Sequence, residues 1–211
     1  MVEGHKSKQA AGGLLPTAAG VISVLTSPFL VTAVCVVLLV LQLEPSPSEL
    51  LLWAAICVVC GAALPLLFVY HLWRRGHVGD MHVAVREQRA GPFAATLLGG
   101  AVGAALLYAV QAPAQLVALG CVYVAVGLVL ALTTVWWKIS VHVAVYVACL
   151  VAVALGGWTV ALYALLGVPP VIWARTYRGR HTLQQGLMGA LLGLSVTPLS
   201  YWVALALLPG A

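Results

Sequence analysis

The sequence predicts an all-α protein, a polytopic bundle of about six to seven transmembrane helices, on three observations. Hydrophobic residues make up 63% and charged residues 7% of the 211 positions, which leaves too little polar surface to cover a water-soluble globule. The mean hydropathy is +1.08. The apolar runs are also long and continuous, as helical spans require, and lack the alternation of roughly ten-residue membrane strands.

Residues 1–17 form a polar, glycine-containing tail ("EGHKSKQAAGG") expected to be mobile, and 18–211 a single transmembrane domain. The first helix runs from about Ala18 to Leu43. It is too long for the core of a signal peptide and has no convincing cleavage site, so it reads as a retained span. "EPSPSE" then turns the chain into a second helix, Leu50 to Trp73. After the polar stretch 74–92 come a third helix, Pro92 to Val110, and a fourth, Pro113 to Trp137. The glycines of "LLGGAVGA" in the third suit close helix packing. "KIS" interrupts next. The apolar stretch from Val141 to Arg175 is too long for one span and divides at Gly156 and Gly157 into a fifth and a sixth helix. Each is short for a hydrocarbon core of about 30 Å. Pro169 and Pro170 are expected to perturb the sixth, with neighbouring helices satisfying the freed carbonyls. A seventh helix runs from Thr182 to Leu208. Cys35, Cys57, Cys60, Cys121 and Cys149 all lie in apolar runs, where packing is expected rather than a redox or metal pair.

Seven crossings would place the N-terminus, the 74–92 loop, the 138–140 break and the 175–181 turn on one face. All ten Lys and Arg residues fall there: Lys6, Lys8, Arg74, Arg75, Arg86, Arg89, Lys138, Arg175, Arg178 and Arg180. The positive-inside rule makes that face cytoplasmic, in the cell membrane. Topology thus accounts for the pI of 9.1, and nucleic acid is not an expected partner. Trp73, Trp136, Trp137 and Trp173 fit an aromatic belt at the same boundary, and His71 and His77 the interface itself.

Three polar blocks gather at that face: "DMHVAVREQR" (80–89), "KISVH" (138–142) and "RTYRGRHTLQQ" (175–185). Together they supply guanidinium and ammonium donors, a hydroxyl and three histidines, but as carboxylates only Asp80 and Glu87. Arginines grip phosphate oxygens bidentately, so the inventory suits a phosphate. It suits a divalent metal poorly, and no metal or cofactor is expected. Arg178 and Arg180 read as topology or head-group contacts, Arg86 as a phosphate ligand or a partner of Glu87 or Asp80, and Asp80 as a helix cap or a partner of His82.

These blocks resemble the motifs of the type 2 phosphatidic acid phosphatase superfamily, membrane lipid phosphatases whose relatives include vanadium haloperoxidases. The third motif, Ser-Arg, five residues, His, three residues, Asp, is similar to Arg175, His181 and Gln185 in "ARTYRGRHTLQQ". The second, Pro-Ser-Gly-His, corresponds to "ISVH" with Ser140 and His142. The first, Lys, six residues, Arg-Pro, matches the spacing of His82 and Arg89, with the lysine replaced and the proline displaced. The resemblance covers residues 80–195, including the two-helix hairpin between the second and third motifs and the "GALLG" after the third.

What the resemblance implies is metal-independent hydrolysis of a lipid phosphate or diphosphate through a phosphohistidine. His181 would be the nucleophile, Gln185 would orient it where the family has aspartate, and His142 would be the general acid and then the base. Arg175, Arg89, Ser140, His82 and Arg86 would bind phosphate, and Lys138 could replace the missing lysine. The expected substrate is amphiphilic, an isoprenoid phosphate or diphosphate ahead of glycerophospholipid phosphates, with membrane lipids as neighbours and homo-oligomerisation left open. Val141, Gln185 and His82 depart from the family pattern, so two alternatives stand beside the phosphatase: a non-catalytic lipid-phosphate binder and a small transporter.

Overall fold

The computed structural model describes residues 13–208, apart from positions 82 and 84 and the side chain of Arg86. Every regular element in it is helical. Five stretches are long and apolar enough to cross a membrane: Pro47–Arg74, Ala90–Ala109, Ala114–Trp136, Thr159–Tyr177 and Leu183–Leu207. Leu14–Leu25 and Pro28–Leu41 add a sixth if this pair, bent by 49°, is one span. The chain is an integral membrane protein. Its lipid-facing surface carries side chains such as Leu51, Leu98, Leu199 and Leu207, all exposed.

The expected first helix is two, α1 (Leu14–Leu25) and α2 (Pro28–Leu41). Ser27 caps α2, accepting from the Leu30 N–H at 3.4 Å, and Pro28 occupies its first turn. A cap followed by proline starts a new helix, so the chain bends here. The next span is α3 (Pro47–Val58), a π-helical turn (Val59–Ala63) and α4 (Leu64–Arg74). Pro65 explains the turn. In a regular helix its ring would clash with the carbonyl four residues back, that of Gly61. The freed Gly61 carbonyl accepts the Tyr123 hydroxyl at 2.5 Å.

Helices α5 (Ala90–Ala109) and α6 (Ala114–Trp136) form an antiparallel pair. The α5 glycines pack as the sequence indicates: a Cβ at Gly100 would sit 2.6 Å from the Tyr123 ring, and one at Gly103 3.0 Å from the Cys60 Cβ. Helix α7 (Val141–Leu155) is apolar but only 15 residues long. It lies inside the bundle, packed by α2, α8 and α9, so its length need not match the bilayer.

After the turn at Gly156 and Gly157 the chain runs as a 3₁₀ helix (Thr159–Gly167) into α8 (Val168–Tyr177). At 2.0 and 1.5 Å per residue these together reach about 33 Å, which is how nineteen residues span the core. Pro169 and Pro170 stand in the first turn of α8, where a missing N–H costs nothing, and the sixth helix changes from 3₁₀ to α just before them, the form that the expected perturbation takes. A neighbouring helix does satisfy a nearby carbonyl, since the Tyr146 hydroxyl of α7 donates to Ala164 at 2.8 Å.

Helix α9 (Leu183–Leu207) closes the bundle against α6, α7 and α8. Between apolar helices in lipid, close backbone approach replaces the hydrophobic effect as the source of association. Gly189 and Gly193 provide it. A Cβ at Gly193 would lie 2.7 Å from the Ala144 carbonyl oxygen and 2.9 Å from the Ala148 nitrogen, and one at Gly189 2.8 Å from the Ser140 oxygen. Gly193→Leu is accordingly expected to cost about 1–3 kcal/mol or more by overpacking, seen as a lower thermal midpoint of the purified protein.

Candidate functional site

Helix α8 ends in a Schellman turn. The Arg180 N–H donates to the Arg175 carbonyl at 3.0 Å and the Gly179 N–H to that of Thr176 at 2.9 Å. Gly179 supplies the left-handed conformation, φ 64°, that the turn requires. The His181 N–H also reaches the Arg175 carbonyl, at 3.3 Å. The spacing from Arg175 to His181 is thus set by the way the helix ends.

Thr182 then caps α9 in a capping box: the Gln185 N–H donates to Thr182 Oγ1 at 3.3 Å and the Thr182 N–H to Gln185 Oε1 at 3.2 Å. The same Oε1 lies 3.1 Å from His181 Nδ1. The backbone N–H can only donate, so it is the amide oxygen that faces it. That oxygen in turn calls for a proton on Nδ1 and leaves the lone pair on Nε2. Gln185→Leu removes the acceptor for both donors and is expected to lower the thermal midpoint of the purified protein by the loss of about 1–3 kcal/mol, whereas Gln185→Glu keeps both bonds and the midpoint.

His181 is 8% exposed. Burial pushes its pKa down to about 3; the Gln185 bond acts in the opposite sense, and Arg175, Arg89 and Lys138 depress it further. The imidazole is therefore neutral at physiological pH. The unfolded chain takes up this proton first, so the His181 contribution to stability is full above about pH 6.5 and is lost progressively as pH falls toward about 3. The thermal midpoint is expected to fall across that window, and to fall less in His181→Asn.

Arg89, just before α5, is buried. Its Nε donates to the Val83 carbonyl at 2.9 Å and one terminal nitrogen to that of Ile139 at 3.4 Å. Val83 has φ 45°, a strained conformation for a β-branched residue, and its carbonyl is the one that orients this arginine. Burial lowers the Arg89 pKa, against the pull of Asp80 and Glu87.

The block at 138–142 joins the other two through this Arg89 bond and through the Ser140 N–H, which donates to the Gln185 carbonyl at 3.2 Å. Ser140 stands at the N-terminus of α7 and His142 in its first turn, both buried. Lys138 has its pKa lowered by burial and then by Arg89, Arg180 and Arg175, with Asp80 opposing. Arg175 is buried too. Its Nε and the Ser140 hydroxyl have no hydrogen-bond partner among the described residues.

Arg89, His142, Arg175 and His181 line one cavity. Asp80, expected as a cap or a partner of His82, pairs with Arg180 at 2.8 Å, both side chains about a third exposed (32% and 31%). The expected His82 lies outside the described residues, as does the side chain of Arg86. Among the described residues no three His, Cys, Asp or Glu side chains group as metal ligands would.

No family model, curated protein or solved structure matches the chain. Its geometry carries the functional argument alone. Sequence reasoning missed Gly179 and Val83. Gly179 was visible as the glycine after a helix whose last turn holds Arg175. Val83 gave no signal, because its role belongs to a carbonyl.

Proposed function

We propose that the chain is a metal-independent lipid phosphatase, similar to the type 2 phosphatidic acid phosphatases, acting on a lipid phosphate or diphosphate. The observation that carries this reading is the His181–Gln185 bond of 3.1 Å beside two buried arginines on the same cavity. It supports a neutral imidazole with Nε2 free to attack, next to cations whose repulsion a phosphate would relieve.

In the first step Nε2 attacks phosphorus, the bond from phosphorus to the lipid oxygen breaks, and protonated His142 gives that oxygen its proton. In the second step water attacks the phosphohistidine while His142 takes its proton. The P–N bond breaks and inorganic phosphate leaves. Arg89, Arg175 and Ser140 hold the equatorial oxygens, and the N-terminus of α7 adds its dipole. Lys138 takes the place of the family's first-motif lysine. Counting the bent pair and α7 as spans gives seven crossings and a cytoplasmic site.

The alternative is a lipid-phosphate binder without turnover. Val141, at the first turn of α7 where the family has glycine, favours it, because a side chain there crowds the backbone approach to phosphate. Phosphate release by the purified protein in excess chelator, from farnesyl diphosphate, a long polyprenyl diphosphate and phosphatidic acid, separates the two. Release that survives chelation and disappears in His181→Ala supports the phosphatase; binding of the same lipids without release supports the binder.

A further inference from the structure

The cavity that begins at the histidines continues far into the bundle. Its volume is about 450 Å³. Along α6 its wall runs from Leu116 to Leu130, a length of about 21 Å at 1.5 Å per residue. Arg89, His142, Arg175 and His181 stand at one end, and the buried Leu107 and Leu116 at the other. The wall between is almost wholly apolar, with the small Ala148 and Ala152 on its α7 side.

Length sets the limit. At about 1.2 Å per bond, a third of the advance of an extended residue, the cavity holds a chain of about seventeen carbons.

Resting on the phosphatase reading for its head group, we propose that this chamber is a tail site for a phosphate ester with an apolar chain of about seventeen carbons. The phosphate sits at His181 and the chain end at Leu107 and Leu116. Long polyprenyl chains exceed its length. A prenyl chain and a straight alkyl chain of this length share the chemistry.

The test is binding of non-hydrolysable phosphonates to the protein in lipid nanodiscs, measured by displacement of a fluorescent alkyl phosphonate and expressed per mole of lipid. Straight chains of roughly eight to twenty-four carbons are compared with farnesyl phosphonate. The expected result is tightest binding near about seventeen carbons and at least about tenfold weaker binding at twenty-four.

Ala148 and Ala152 of α7 lie about 9 and 15 Å along the helix from His142. Ala148→Phe and Ala152→Phe should therefore move the optimum to about eight and about twelve carbons. Affinity independent of length, or an optimum unmoved in both variants, would overturn the proposal. The length series on the unaltered protein decides by itself should a variant fail to fold. The better of the farnesyl and straight-chain compounds identifies the chain type.

Binding does not require turnover. A length optimum without phosphate release leaves the chamber standing and removes the phosphatase; release with no length dependence does the reverse.

Discussion

Replacing His181 by alanine is expected to lower phosphate release from the preferred lipid by about 10⁵-fold or more, while phosphonate binding stays within about tenfold of the unaltered protein. The imidazole is a neutral nitrogen base held by a fixed partner, Gln185 at 3.1 Å, beside the buried arginines. Without it, no nucleophile remains to form the covalent intermediate, and the arginines can still hold the phosphate. Folding should survive. Burial and three cations already keep this group uncharged, so the alanine variant leaves no charge unpaired. Parallel measurement of release, phosphonate binding and thermal midpoint checks all three statements. A variant that binds nothing would mean that His181 belongs to the binding surface rather than the chemistry.

Arg175→Ala is expected to lower kcat/KM by about 10³-fold, and Arg175→Lys by nearly as much, because an ammonium cannot reproduce the guanidinium fork on a phosphate. Arg175 is buried at 4% exposure, and its Nε has no partner among the described residues. It is desolvated, and Arg178, Arg180 and Arg89 repel it, with only Asp80 opposing them among the described residues. Such a side chain is a poor stabiliser of the free protein, and its removal should leave the thermal midpoint unchanged or higher. Inorganic phosphate should raise the midpoint of the unaltered protein, by binding only the folded state, and raise it much less in Arg175→Ala. A large loss of stability in that variant would instead mark the arginine as structural.

The sequence displays what depends on local pattern. Spans are apolar runs, the three polar blocks are interruptions, and Thr182 with Gln185 is a cap signature three residues apart. The break before α2 was equally visible in Ser27 and Pro28, yet the apolar run on either side conceals it. Harder to read is anything that depends on a partner far along the chain. Pro65 marks a disturbance, but only Tyr123, on another helix, determines how the Gly61 carbonyl is satisfied. The bonds of Arg89 to Val83 and Ile139 involve backbone oxygens, which leave no trace in residue type. The pairing of Asp80 with Arg180 spans a hundred residues, and Asp80 could equally have capped a helix. The chamber is the least legible feature, since its walls come from at least four helices whose apolar faces look like any core.

The most direct measurement of the central claim is an alkaline denaturing quench of the protein during a single turnover of a radiolabelled lipid phosphate, with the labelled residue located by mass spectrometry. The expected result is label on His181, stable to alkali and lost in acid, and absent from His181→Ala. Phosphate release at the full rate with label elsewhere, or with none on the protein at any time, would contradict a phosphohistidine at this site.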